Sequence, residues 1–331
     1  MRWLIVVPFD RPGDVGVDLA VEFGALGHET RTFAYRRENV LYKNRWTKRA
    51  YQQLIARRLV ARATVMRPDV VLVMKGGPVS PAVIARIRER TGARFVNVFP
   101  DNPLWMLDFS HIEPYDVFFT KERHAIRQLT LVGLRNLHYL APWCTPADHH
   151  PVATTDAERA ALEGRAVLVG SWYPYRERLL REIADYPVRV YGSGWRHAVD
   201  PRVRALVAGG SATGRAKLGI YCAATISLNL HHPMNDIAGV NNRTFELAAT
   251  GACQLVDAKD DVAAVFKPGE EVLTFGDPRE LRHQLDYWLT RPAEARAIGA
   301  NARRRALAEH TVRHRAEEIL ALLRERFGPL E

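Results

Sequence analysis

The sequence contains few cysteines and no long apolar run. Its three cysteines, Cys144, Cys222 and Cys253, are scattered and odd in number, so we expect no disulfide framework and a reducing cytoplasm as the compartment. No apolar run approaches the roughly 18–20 residues that a membrane span requires. The apolar start "MRWLIVVPFD" is too short for the core of a secretory signal and lacks a small-residue cleavage site. We therefore expect no transmembrane segment.

Acidic residues are scarce in one stretch of the chain. Between Arg31 and Arg67, eleven Lys or Arg residues stand against the single acid Glu38, which accounts for about the whole net charge of +10. A basic face of this kind suits an anionic lipid surface, which would make the protein peripheral at a membrane, or a phosphorylated acceptor. A solvated helix face is the plainer alternative. Too few aromatic residues are interleaved for a stacking platform, so no nucleic acid is expected.

The same stretch has the apolar spacing of a helix. Tyr51, Leu54, Ile55 and Leu59 recur at helical intervals, which predicts an amphipathic helix with a basic outer face.

Common motifs of nucleotide and metal sites are missing. The Gly-x-Gly of "YGSGW" (191–195) lacks the third spaced glycine and the later acid of a dinucleotide fingerprint, and "GGSATGRAK" (209–217) lacks the spacing of a P-loop. The histidine pairs in "DHH" (148–150) and "HHP" (231–233) do not have zinc-site spacing. We therefore reject both glycine motifs as fingerprints and expect no metal site.

What is present is an alternation of apolar strands and helices. Strands such as "RWLIVV" and "DVVLVM" alternate with helical segments, and the same rhythm restarts after the Pro-rich stretch "APWCTPADHHPVATTDAER". Continuous apolar strands between helices are typical of a parallel sheet covered on both faces. We predict an α/β protein with two Rossmann-like, doubly wound parallel-sheet domains facing a cleft, at 1–147 and 148–309. A C-terminal helix at 310–331 would pack back on the first domain.

The stretch "NNRTFELAATGACQLVDA" (241–258) places a carboxylate, Glu246, near the start of a short helix. One interpretation is helix chemistry, because an acid in the first turn complements the helix dipole. The other is that Glu246 binds a polar group of a ligand.

The second half of the chain contains six segments in this order: "VLVGSWYPYRERLL", "VRVYGSGW", "AKLGIYCAATISLNLHH", "GVNNRTFELAATGACQLVDA", "FKPGEEVLTFGDPRELRHQLDYWL" and "EHTVRHRAEEIL". Together they resemble the C-terminal half of group 1 glycosyltransferases, and more closely the CgeB-like branch of spore-maturation proteins. The resemblance covers roughly 165–320 and extends more weakly through "FPDNPLW", "YDVFFTKE" and "LAPWCTP". It implies the GT-B architecture, with a nucleotide-diphosphate sugar bound mainly by the C-terminal domain and an acceptor mainly by the N-terminal domain.

The resemblance also implies a donor site. Glu246 matches the glutamate that holds the ribose, and a carboxylate can accept both hydrogens of a vicinal diol. The loop "GVNNR" and the helix N-terminus after it would face the diphosphate. The implied donor-site residues are Glu246, Arg243, Asn242, Asn241, Val240, Gly239, Arg176, Lys217, Ser171, Gly170 and His231, of which Arg243, Arg176 and Lys217 are the candidate diphosphate cations.

One departure concerns the transferred sugar. Many group 1 enzymes have a second glutamate eight residues before the ribose-binding one, but Ala238 occupies that position here, with Asp236 two residues earlier. The contacts to the sugar and the stereochemical outcome therefore stay open, with Asp236 as one candidate substitute.

The predicted reaction is glycosyl transfer from a UDP or GDP sugar to an unidentified acceptor. Fixed cations can stabilise the leaving diphosphate, and no Asp-x-Asp motif is present, so we expect metal independence and no cofactor besides the donor. Asp101 and Asp10 follow predicted strands, and either can accept the acceptor's proton. Asp101 in "FPDNP" can alternatively only cap a turn. The alternative functions are a non-catalytic nucleotide- or sugar-binding assembly factor, and a nucleotide-sugar epimerase.

Overall fold

The computed structural model describes residues 1–11, 13–36, 44 and 46–328. They divide into two compact units. Unit 1 comprises Met1–Pro142, Met234–Ile237 and Val312–Glu331, and unit 2 comprises Trp143–Pro233 and Ala238–Thr311. Each unit contains a six-stranded parallel sheet, so the predicted α/β class is confirmed. Residues 37–43 and 45 of the predicted basic segment, Glu38 among them, lie outside the described residues.

The sheet of unit 1 has the strand order β2-β1-β3-β4-β5-β6. Strand β1 is fully buried from Trp3 to Val7, as expected when helices cover both faces of a parallel sheet. The order reverses between β1 and β3, which is the position where such sheets bind ligands. The strands are β1 (Arg2–Val7), β2 (Glu29–Ala34), β3 (Val70–Met74), β4 (Arg94–Phe99), β5 (Val117–Thr120) and β6 (Leu137–Tyr139).

Helices precede or follow these strands in the usual alternation. They are α1 (Val15–Ala25), α2 (Lys48–Met66), α3 (Pro81–Thr91), α4 (Pro103–Met106) and α5 (Arg123–Leu131). The predicted amphipathic helix is α2, which buries Tyr51, Ile55 and Leu59. Leu54 is 43% exposed and lies beside the basic face, so its assignment to the apolar stripe was wrong.

The sheet of unit 2 has the order β12-β11-β10-β7-β8-β9 and reverses between β7 and β10. Its strands are β7 (Ala166–Val169), β8 (Val188–Tyr191), β9 (Val207–Gly209), β10 (Ile226–Asn229), β11 (Gln254–Asp257) and β12 (Leu273–Phe275). Its helices are α6 (Asp156–Leu162), α7 (Pro174–Arg181), α8 (Pro201–Ala205), α9 (Gly214–Ala223), α10 (Asn242–Thr250), α11 (Val262–Val265), α12 (Pro278–Trp288) and α13 (Pro292–Glu309).

The last helix, α14 (Val312–Phe327), returns to unit 1. It packs against α1, and Arg313 of α14 forms an ion pair with Glu22 of α1 at 3.7 Å. Its buried face includes Ile319 and Leu323. No helix within the described ranges is both long and apolar enough to span a bilayer.

The start of α10 differs from the expectation. Asn241 is the N-cap, and its side chain accepts a hydrogen bond from the backbone N–H of Thr244. Glu246 is consequently the fifth residue of the helix rather than a member of its first turn. The first-turn interpretation of Glu246 was therefore wrong, because the capping asparagine sets the helix start earlier in the chain.

Candidate active site

A cavity of about 200 Å³ opens at the carboxyl ends of β7, β8 and β9 in unit 2. Helices α9 and α10 supply its charged side chains. Lys217 and Tyr221 of α9 are four residues apart, and Arg243 and Glu246 of α10 are three apart, so each pair shares one helix face. The lining residues are Val169, Gly170, Ser171, Gly192, Ser193, Ser211, Ala212, Lys217, Tyr221, Arg243 and Glu246.

Glu246 is the one carboxylate of this lining. Its Oε2 lies 3.1 Å from Nζ of Lys217, and the two side chains are 24% and 23% exposed. Burial alone would raise the pKa of Glu246, but the charges of Lys217, His149 and Arg243 outweigh it and hold the pKa below its ordinary value. Glu246 is therefore ionised at neutral pH, and its oxygens act only as hydrogen-bond acceptors.

Arg243 is the second cation of the cavity. In the described part of the chain it forms no salt bridge with a carboxylate, whereas Lys217 is paired with Glu246. Arg243 also lies beside the buried hydroxyl of Tyr221, whose pKa burial raises to about 12. The cavity therefore carries an excess of positive charge that an anionic ligand can balance.

Arg176 holds the backbone at the wall of the cavity in place. It is 6% exposed, and its guanidinium donates to the carbonyl oxygens of Ser171 at 2.7 Å and Leu230 at 3.1 Å. A Cβ atom placed on Gly170 would lie 2.9 Å from Nη1 of Arg176 and 3.2 Å from Nη2 of Arg243. Gly170 thus lets two cations approach the end of β7.

Two glycine segments that fit no nucleotide motif nevertheless line this cavity. Gly192 and Ser193 come from "YGSGW", and Ser211, Ala212 and Lys217 come from "GGSATGRAK". Gly192 has φ 153°, and a Cβ atom there would lie 2.0 Å from the carbonyl oxygen of Gly170. In the sequence, each segment has a glycine directly after an apolar strand. Comparison with the dinucleotide and P-loop motifs alone did not reveal this feature.

The other predicted donor-site residues lie outside the lining. Asn241 caps α10, and its Nδ2 donates to Oδ1 of Asn229 at 3.0 Å. Asn242 is the first residue of α10, while Gly239 and Val240 are buried just before it. These residues place the helix that carries Arg243 and Glu246, and their contact with a ligand stays a prediction.

His231 is held by Asp257 at the ends of β10 and β11. Its fully buried ring has Nδ1 2.9 Å from Oδ1 of Asp257, and its backbone N–H donates to the same oxygen at 2.7 Å. Burial would raise the pKa of Asp257, but the bonds to His231 and the nearby Lys259 lower it. Asp257 therefore stays ionised and fixes the ring, which the structure does not place in the cavity lining.

The two positions considered for the transferred sugar are both occupied by structural groups. Ala238 is 2% exposed, and its carbonyl accepts from the N–H of Asp261. Asp236 forms an ion pair with Lys121, and each side chain is 3% exposed. A carboxylate that is buried and paired in this way is held by its partner. Asp236 is thus not placed as a substitute for the missing glutamate.

The carboxyl edge of the unit 1 sheet carries the predicted catalytic acids. Asp101 follows β4 and is ion-paired with Lys75, which follows β3. Asp10 follows β1 and accepts a hydrogen bond from the hydroxyl of Thr32 at 2.9 Å. Both acids lie at the predicted edge, two strand positions apart, and their catalytic roles stay predictions.

A second cavity, of about 290 Å³, opens at this edge of unit 1. The backbone at its wall is strained at Lys75, which has φ 66°. Gly76 and Gly77 follow with φ 143° and 39°, which glycine adopts readily. A Cβ atom on Gly77 would lie 2.5 Å from the ring of Tyr35. Its lining residues are Arg36, Lys75, Gly76, Gly77, Val79, Phe99, Met106, Leu107, Asp108, His111 and Tyr115.

Comparison with known proteins identifies relatives of this chain. Residues 176–321 match the family described as glycosyl transferase-like. The chain is 22% identical over 285 residues to Spore protein CgeB of Bacillus subtilis (strain 168), a match that covers 78% of this chain and 87% of that protein. The resemblance drawn from the six ordered segments is confirmed.

Solved structures confirm the GT-B fold of this chain. Sucrose-phosphate synthase from Thermosynechococcus elongatus superposes with a TM-score of 0.73 and 15% identity over 99% of both chains. Anabaena Alr3699/HepE, solved in complex with UDP and glucose, superposes with a TM-score of 0.68 and 12% identity over 98% of this chain and 100% of that one. Within the described residues, no group of three or more His, Cys, Asp or Glu side chains is arranged to hold a metal ion.

Proposed function

We propose that this chain is a glycosyltransferase and that it uses a nucleoside-diphosphate sugar, bound in the cavity of unit 2, as its donor. The observation that carries the proposal is the arrangement of an ionised Glu246 beside Lys217 and Arg243 at the carboxyl edge of a parallel sheet. This arrangement provides one acceptor-only group and two cations, which match a sugar diol and a diphosphate. UDP is the first nucleotide to test, since Alr3699/HepE was solved with it.

Glu246 is proposed to hold the ribose. Its two oxygens can each accept one hydroxyl hydrogen of the 2′,3′-diol, and its low pKa keeps both oxygens available at neutral pH. Lys217 then serves a second purpose. In the empty cavity it neutralises Glu246, and when the diol occupies the carboxylate its Nζ can turn to the phosphate.

Arg243 and the first turn of α10 are proposed to bind the diphosphate. Arg243 has the planar fork that suits phosphate oxygens, and the backbone N–H groups at a helix start attract negative charge. During transfer, charge builds on the leaving diphosphate, and donors that are already in place stabilise it without reorganising. Arg176 is proposed to keep the Ser171 loop in position, since its N–H groups already bind carbonyl oxygens.

The acceptor is proposed to bind at the carboxyl edge of unit 1, where Asp101 or Asp10 would take its proton. An ionised carboxylate at this edge can act as the general base if the acceptor hydroxyl comes within hydrogen-bonding distance. Asp101 is the better placed of the two because it lies at the end of a central strand beside Lys75. The basic face of α2 would favour an anionic surface or a phosphorylated acceptor, and a cytoplasmic location agrees with these substrates.

Nucleotide binding by a Glu246→Ala variant tests the donor site. We expect UDP or GDP to raise the melting temperature of the wild type, because a ligand that binds only the folded state stabilises it. Loss of two hydrogen bonds to a charged group should weaken binding by about 100-fold in the variant. Calorimetry with UDP, GDP, ADP, dTDP and CDP measures both effects.

The matched control is Glu163→Ala, because Glu163 pairs with Arg296 at the same 3.1 Å in the same unit but lines no part of the cavity. This variant should bind like the wild type. Equal nucleotide affinity in Glu246→Ala and wild type would show that the site is elsewhere.

A further inference from the structure

Three aromatic rings cluster beside the donor cavity. Tyr173 and Tyr175 stack with their centroids 5.8 Å apart, and the ring of His232 meets both edge-on at 5.4 and 5.1 Å. We name this cluster, Tyr173, Tyr175 and His232, the aromatic platform. Tyr173 is 40% exposed, so part of its ring is accessible to a ligand.

The aromatic platform is built from two neighbouring strand ends. Tyr173 caps the start of α7 after β7, and His232 follows β10, which pairs with β7 in the sheet. His232 is the residue next to His231, whose ring and backbone are fixed by Asp257. The strands and the Asp257 contact therefore set the position of the platform, and it does not depend on a long loop.

Arg176 connects the aromatic platform to the cavity. Its guanidinium carbon lies 5.1 Å from the ring centroid of Tyr173, while its Nη1 donates to the carbonyl of Ser171, a residue of the cavity wall. The same Nη1 lies close to Gly170, where Arg243 also approaches. One guanidinium thus contacts both the platform and the cationic end of the cavity.

These contacts give the order in which the charged and aromatic side chains follow one another from the cavity to the platform. Glu246 and Lys217 form one end, Arg243 and Gly170 come next, and Arg176 with Tyr173 lies beyond them. If the ribose is on Glu246 and the diphosphate on Arg243, the side of Arg243 opposite Glu246 is where the sugar can lie. The groups that the contacts place on that side are Arg176 and Tyr173.

We propose that the aromatic platform binds the transferred sugar through the C–H face of a hexose ring. This inference rests on the proposed donor site. The chemistry fits, because a pyranose presents an apolar face of C–H groups and a tyrosine ring presents a negatively polarised face. It also explains how a chain with a buried alanine at position 238 and a paired Asp236 can hold its sugar, since neither side chain is available.

Calorimetry with matched ligand pairs tests the aromatic platform. The pairs are UDP with UDP-glucose and GDP with GDP-mannose, and the quantity is the ratio of the two Kd values within a pair. We expect Tyr173→Ala to shift this ratio against the sugar by about three- to tenfold, the range of an aromatic contact, and to change the Kd of the diphosphate less than about twofold. Tyr173→Phe should keep the wild-type ratio, because it retains the ring face.

Tyr287→Ala is the matched control. Tyr287 is 41% exposed, has an aromatic neighbour in Trp288 and an arginine over its ring, and lies in unit 2 away from the cavity. An unchanged ratio in Tyr173→Ala, or an equal weakening of both members of a pair, overturns the inference while the donor site stands. If the wild type binds neither diphosphate nor sugar, the proposed donor site fails and the platform fails with it.

Discussion

The two units build their carboxyl edges from the same kind of sheet but pair the charged side chains there differently. In unit 1 the acid Asp101 is matched by Lys75, and the cavity wall includes apolar groups such as Val79 and Phe99. In unit 2 the single carboxylate faces two cations, and Arg243 has no carboxylate partner among the described residues. The fold therefore decides where a site forms, and a few strand-end residues decide what charge the site accepts.

The backbone of the two edges differs as well. In unit 2, a larger residue at Gly192 would collide with the carbonyl of Gly170, and one at Gly170 would crowd the guanidinium groups of Arg176 and Arg243. In unit 1, a lysine adopts the left-handed region that usually belongs to glycine. The first arrangement brings backbone and cations close to a ligand, and the second aims a charged side chain at Asp101 at the cost of about 1–3 kcal/mol of strain.

The largest effect is expected from Asp101→Asn, which tests whether the two units have different roles in the reaction. If unit 1 supplies the base and unit 2 binds the donor, this change should lower kcat by about 100- to 10,000-fold and change donor affinity less than about twofold. Asp10→Asn serves as the paired variant, since it replaces an exposed carboxylate at the same sheet edge by a carboxamide. Steady-state rates and calorimetry measure the two quantities separately.

A change in donor affinity above tenfold in Asp101→Asn would mean that the division of labour between the units is wrong. If Asp10→Asn loses most of its kcat and Asp101→Asn does not, then the base is Asp10, which follows β1.

A smaller effect is expected in the pH dependence of donor binding by unit 2. The pKa of Glu246 is lowered in the folded protein, so its ionised form persists as pH falls to the ordinary carboxyl value and is lost only below it. We expect the Kd of UDP-glucose, which has no phosphate titrating in this range, to change less than about twofold between pH 7 and pH 5. Glu246→Gln should be weaker at every pH and show no carboxyl titration. A loss of affinity already between pH 7 and pH 5 would contradict recognition by an ionised Glu246.

The smallest effect is expected from metal removal. If Lys217 and Arg243 supply the charge that the diphosphate needs, then EDTA should leave the transfer rate within about twofold of the rate with Mg²⁺ or Mn²⁺. A rate that depends on added metal would mean that the two cations of unit 2 do not suffice.

Much of the fold could be predicted because its signals are local. The run "VVLVM" is buried on both faces, and a continuous apolar run between a proline and two glycines predicts that strand from its own residues. Contacts across the chain have no such signal. The segment 234–237 has the composition of a loop, and nothing nearby shows that Asp236 pairs with Lys121, which lies 115 residues earlier.

The site was predicted in part, for reasons that differ from residue to residue. Glu246, Lys217 and Arg243 were named through the resemblance to group 1 glycosyltransferases, and the structure brings them together in one cavity. Tyr221 was missed, since an aromatic residue on a helix is usually core. Which of two adjacent asparagines caps α10 also depends on a hydrogen bond to Thr244, which the sequence does not show.

The division of unit 1 into three chain segments has a consequence for synthesis on the ribosome. Its sheet is complete by residue 139, yet α14, which packs on α1, begins only at Val312. The side of α1 on which α14 packs must wait while about 170 further residues are made, which takes on the order of 10–30 s at typical translation rates. The first unit to emerge is therefore the last to be finished, and its exposed surface is a natural place for a chaperone to bind during that delay.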